Sequence, residues 1–162
     1  MPRKRPIVLR AQRVPRQVYA HIDSWDVGLP KRWRPSRRIA SAIRREEYRR
    51  PFGEEWWPGA ALEAIDAYRA FLARPGKYLY LLLSISGSQD QELRENVAVA
   101  RDLLEVVVHR LPTRARRDLE ALLADMDDEL RRRTLPDPLA HRQPHRRGGW
   151  WHWRLYHEAN HL

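Results

Sequence analysis

His157-Glu158-Ala159-Asn160-His161 carries the spacing H-E-x-x-H. On a helix that spacing sets two imidazoles on one face to hold zinc, while the carboxylate polarises a bound water for hydrolysis. A third ligand would have to come from upstream, from His152, His145 or His141, which reverses the usual order. A stretch this rich in histidine also produces such a match by chance. No metal site is therefore expected, and His152, His157 and His161 are the residues that would form one if the chain were a metal-dependent hydrolase.

A second set of residues is basic. Arg3, Lys4, Arg5, Arg10, Arg13 and Arg16 precede Lys31, Arg32, Arg34, Arg37 and Arg38, and Trp33 is interleaved with the second group. Guanidinium groups bind phosphate oxygens bidentately, and an exposed indole stacks on an unpaired base. The first 51 residues hold 15 Lys/Arg against 4 Asp/Glu, whereas residues 52–162 hold 16 against 17. GC-rich coding accounts for Arg outnumbering Lys 28 to 3, but not for this segregation. A basic region joined to a nearly neutral body points to a polyanionic partner. Nucleic acid, contacted through its backbone, is the leading expectation, and an acidic protein surface would satisfy the same charge.

Tryptophan forms the third set. Seven occur, concentrated as Trp56-Trp57 and Trp150-Trp151-Trp153. They either cap the ends of a small helical core or form the interface of a protein–protein interaction module, the alternative function. The remaining chemistry is sparse. With no cysteine, disulfides, thiolate catalysis and Cys-based metal sites are excluded. Neither a Walker loop nor a G-x-G-x-x-G is present, so no cofactor and no catalytic residues are expected. The longest apolar run, Tyr78 to Leu83, is too short to span a bilayer, and a soluble cytoplasmic protein is expected.

These residues need elements to position them. Prolines at 2, 6, 15, 30 and 35 forbid a long helix near the start, leaving at most a ribbon of residues 7–9 and 17–22. Ser36 is placed to cap a helix that ends before Pro51, with Ile39, Ala42 and Ile43 inward. A second helix should start at Pro58, presenting Leu62, Ile65, Tyr68 and Leu72 to the core. Residues 78–85 are apolar apart from Ser84, and their leucine content favours a short buried helix over a strand.

Ser88 with Gln91 has capping-box spacing and opens a helix predicted to run unbroken to about Arg110, with Leu93, Val97, Ala100, Leu104, Val107 and Leu111 inward. After Pro112, Thr113 should cap a helix over 114–133 striped by Leu119, Leu122, Leu123, Met126 and Leu130, which closes an αα-hairpin. Arg114, Arg116 and Arg117 at its start suggest a groove-reading helix, but its six acids would meet phosphate repulsion. The pairs Arg114–Asp118, Arg116–Glu120, Asp127–Arg131, Asp128–Arg132 and Glu129–Arg133 suggest a salt-bridged scaffold instead. The expected fold is mainly α: a small helical bundle built around that hairpin. Residues 1–51 form a basic arm with one short helix, 52–134 the core, and 135–162 a Trp/His-rich tail packing back on it.

Overall fold

The computed structural model describes residue 29 and residues 31–82, 88–143 and 148–157. The fold is mainly α, with five α-helices among the described residues. The ribbon expected at 7–9 and 17–22 lies outside them.

Helix α1 (Arg37–Arg49) opens as the sequence predicts, the Ser36 hydroxyl accepting from the Ile39 N–H at 3.2 Å. Ile39 and Ile43 face inward, joined by Glu47, which a polarity pattern places outside. The Glu47 carboxylate accepts from the Gly59 N–H at 3.0 Å and so ties α1 to the start of α2 (Ala60–Leu72). Gly59 has φ 93°, a left-handed conformation that suits glycine and sets the helix start beyond the expected Pro58.

Helix α2 is the centre of the molecule. Leu62, Ile65, Tyr68 and Leu72 are buried as their spacing predicts, and so are Ala60, Ala61, Ala64 and Phe71. A helix enclosed on most of its circumference packs on several partners. It packs most extensively on α4 and also meets α1, α3 and α5.

Ser88 caps α3 (Gln89–Glu95), its hydroxyl accepting from the Gln91 N–H at 3.4 Å. The helix expected to continue to Arg110 is instead two, because Asn96 breaks it at φ −101°, ψ 102°. Its Oδ1 accepts from the Ala98 N–H at 3.0 Å, so Asn96 caps α4 (Val97–Arg110) while ending α3. An asparagine side chain competes with the helical backbone in this way, which favours caps over interiors. Helix α5 (Thr113–Arg133) takes Pro112 as its N-cap, so Thr113 is the first helical residue and not the capping one. Leu119, Leu123, Met126 and Leu130 are buried, Leu122 is half-buried, and α4 and α5 form the expected αα-hairpin.

Over residues 78–82 the helix expectation is wrong. Leu79 and Leu81 are buried while Tyr78 and Tyr80 are exposed, the alternation of extended chain. The Leu79 N–H donates to the Arg133 carbonyl at 2.6 Å and the Leu81 N–H to the Leu155 carbonyl at 3.0 Å. The His157 N–H returns to the Leu81 carbonyl at 2.7 Å, and Leu155 bonds Leu135 on its other side. These contacts are isolated bridges, and they bring the tail back to the end of α5. One continuous apolar core contains Trp33, Ile39, Ile43 and Phe52, the inner faces of α2 to α5, and Trp151.

Candidate polyanion-binding face

The basic residues from Lys31 onward surround and run along α1. Lys31, Arg32, Arg34, Arg37 and Arg38 are all exposed. A turn closed by the Arg34 N–H on the Lys31 carbonyl delivers the chain to Ser36. Opposite Ile39, Ile43 and Glu47, the outward side of α1 carries Arg37, Ser41, Arg45, Tyr48 and Arg49, every one of them exposed. The acids of this helix are turned elsewhere. Glu47 is buried on Gly59, and Glu46 pairs with Arg110 of α4 at 3.2 Å and more distantly with Arg49 at 3.9 Å. Arg38 reaches Asp118 of α5 at 3.0 Å. Arg37 and Arg45 make no ion pair with any described residue, so their guanidinium groups stand in solvent with all donors available.

Trp33 is not the stacking platform its position among cations suggests. Its backbone is left-handed, at φ 61°, and its side chain is in the core at 9% exposure. Its indole N–H donates to Asp125 of α5 at 2.6 Å, and the Arg32 guanidinium covers its ring at 4.0 Å. Buried tryptophan finds a partner for its N–H, and here that partner fixes the turn before α1 onto α5. Arg3, Lys4, Arg5, Arg10, Arg13 and Arg16 lie outside the described residues. The signal that reveals Tyr48 and Arg45 is the 3.6-residue period of α1 itself: both fall opposite Ile39 and Ile43.

A buried polar cluster joins the helices behind this face. Asp127 accepts from the Tyr68 hydroxyl at 2.7 Å and from the Arg101 guanidinium at 3.1 Å. Arg101 also donates to Glu105 at 2.8 Å. Burial first, then the adjacent Asp127 charge and its hydrogen bond, push the Tyr68 phenol well above its ordinary range. The Arg101 guanidinium is satisfied on both sides, by Asp127 and by Glu105.

The i,i+4 pairs expected along α5 are replaced by others. Asp127 reaches Arg101 and Asp118 reaches Arg38, while Asp128 and Glu129 pair three residues on with Arg131 at 3.3 Å and Arg132 at 2.5 Å. Arg133 turns back to the carbonyls of Leu72, Arg74 and Gly76, and Arg116 to those of His109 and Leu111. Several of these charges therefore bond across elements, closing helix ends that would otherwise leave carbonyls unmet.

The tail histidines are separated by their surroundings. His152 is buried, its Nε2 2.6 Å from Asp102, whose other oxygen accepts from the Trp151 indole at 2.7 Å. His157 is exposed at the extended bridge, its ring edge-on to Tyr80. His161 lies outside the described residues, and among those described no cluster of metal-ligating side chains occurs. The tryptophans divide as well. Trp151 is buried under Arg101 at 4.3 Å, whereas Trp56, Trp57 and Trp150 are partly buried against the core. Trp150 lies 3.9 Å from the Arg131 guanidinium and 6.0 Å from that of Arg154, whose pKa is lowered by burial and by Arg131. Trp153 is 51% exposed.

A small open cavity of about 140 Å³ between α2 and α3 has its charges engaged, Arg94 with Glu63 at 3.7 Å and Arg69 with Asp66 at 2.8 Å. No described helix is long and apolar enough to cross a membrane. No family model matches the chain, and neither curated proteins nor solved structures show a significant similarity to it.

Proposed function

We propose that the protein is a non-enzymatic binding protein that contacts a polyanion, nucleic acid before others, through the backbone phosphates and its N-terminal basic region. The observation that carries this reading is the arrangement of charge on α1, where acids are spent inward on Gly59 and Arg110 while Arg37 and Arg45 remain unpaired in solvent. Arginines placed this way bind phosphate without first breaking internal ion pairs. The positively charged groups of residues 1–16 extend the same basic region in sequence.

The test is salt dependence. Each phosphate contact releases condensed counterions and adds about 0.9 to the log–log slope of affinity against salt on duplex DNA. Neutralising Arg3, Lys4, Arg5, Arg10 and Arg13 together should flatten that slope, and neutralising Arg37 and Arg45 should flatten it further. Absence of measurable affinity for DNA or RNA at low salt overturns the reading and favours a protein–protein module. The exposed Trp153 and Leu139 would then be the first surfaces to examine.

A further inference from the structure

We infer that the outward face of α1 binds an unpaired nucleic-acid strand, with Tyr48 as the residue on which a base stacks and Arg37 and Arg45 as its phosphate contacts. The inference rests on the polyanion reading above and names the form of that polyanion. Tyr48 is the most exposed large hydrophobic among the described residues, at 59%. It sits on the side of α1 opposite the buried Ile39 and Ile43, with Arg45 and Arg49 on the neighbouring positions. An aromatic ring left in water on an otherwise charged face gives up the burial that Phe52, Phe71 and Tyr68 obtain nearby.

Charge decides what such a ring meets. Arg37 and Arg45 are two turns apart, about 12 Å along the axis at 1.5 Å per residue, and both guanidinium groups are unpaired among described residues. No acid of α1 shares this face, since Glu46 is held by Arg110 and Glu47 is buried. Among the described residues, the opposing charges at the edges of the face are already paired, Asp118 with Arg38 at 3.0 Å and Glu46 with Arg110 and, at 3.9 Å, with Arg49. A partner must therefore supply repeated negative charge along the helix together with a flat apolar surface one turn beyond Arg45, where Tyr48 stands. Duplex nucleic acid offers the first and withholds the second, because its base faces are already stacked. An unpaired strand offers both, and base–aromatic stacking beside arginine is how sequence-tolerant single-strand binding is built.

The test compares a labelled oligothymidine with a duplex of equal length at low salt, by fluorescence anisotropy, on the full chain. Tyr48→Ala should weaken oligothymidine binding by about tenfold, within the range of one lost stacking contact, and change duplex binding less than about twofold. Tyr48→Phe should restore single-strand affinity, because the ring and not the hydroxyl does the stacking. Arg37→Gln with Arg45→Gln should weaken both probes and lower the salt slope. Unchanged melting temperatures are expected for all of these variants, since the three side chains are exposed. If Tyr48→Ala leaves oligothymidine affinity intact, or weakens both probes equally, or is not rescued by Tyr48→Phe, the stacking assignment falls while the polyanion reading stands. If the unaltered protein binds neither probe, both fall together.

Discussion

Asp127 shows how a residue's partner is chosen by the face it occupies. Sequence spacing pairs it with Arg131, but it lies beside Met126 and Leu130 on the buried stripe of α5, while Arg131 pairs with the exposed Asp128 at 3.3 Å. It bonds Arg101 and Tyr68 instead, with both ionic side chains at most 10% exposed. Removing one member of a buried ion pair leaves the other uncompensated, so Asp127→Ala should lower stability by about 3–5 kcal/mol in a urea titration. The effect on pH runs through Tyr68. Its folded-state pKa is raised above the ordinary 10.0, so the native state holds a proton that the unfolded chain releases. Its contribution is complete below that value and declines as pH rises beyond it. Tyr68→Phe should therefore reduce the loss of stability measured between neutral and strongly alkaline pH. An unaltered alkaline slope would show that the phenol titrates normally. Glu47 follows the same logic: a carboxylate with a backbone N–H to satisfy is placed inside, and no polarity pattern signals it.

At the scale of elements, what was legible followed from periodic apolar positions and strong caps. Ser36 and Ser88 cap as their sequence contexts indicate, and the stripes of α1, α4 and α5 face the core. What was not legible depended on tertiary contacts. The run from Tyr78 is leucine-rich, which favours helix locally, yet its backbone pairs with Arg133 and Leu155, so remote chain sets it as extended. Asn96 is a local signal of a different kind, a cap residue inside a long apolar period, and the period conceals it. The two readings of that segment predict opposite signs. In a continuous helix, replacing asparagine by alanine stabilises, because alanine is the better helix former. At the α3–α4 break, Asn96→Ala removes the bond to the Ala98 N–H and should lower stability by about 1 kcal/mol, as for a lost N-cap. A raised denaturation midpoint would mean that the break contributes nothing to the fold.

Across the whole molecule, charge and aromatic residues are sorted by the same constraint, since a small core has little volume in which to bury large side chains. Asp118, Asp127, Asp128 and Glu129 of α5 are drawn to arginines of α1, of α4 and of their own next turn. Arg37 and Arg45, on a helix whose own acids are engaged elsewhere, are left facing solvent. This outcome could be anticipated from the segregation of charge along the sequence, but the identity of the exposed aromatic could not. Trp33 and Tyr48 both lie among arginines in sequence, and only packing separates them: Asp125 of α5 takes the Trp33 indole inward, while the period of α1 turns Tyr48 outward. The tail is sorted in the same manner. Trp151 and Trp153 are two residues apart, yet the first is 7% exposed, beneath Arg101 and bonded to Asp102, and the second is 51% exposed. If the tail is part of the fold, Trp151→Ala should cost about 3–5 kcal/mol, as for a core aromatic, because it opens the layer over Arg101 and leaves an Asp102 oxygen without its donor. Trp153→Ala should stay within about 0.5 kcal/mol, the range of an exposed substitution. Equal and small effects on the urea midpoint would show the tail to be an appendage, and the core would then have to close over Arg101 without it.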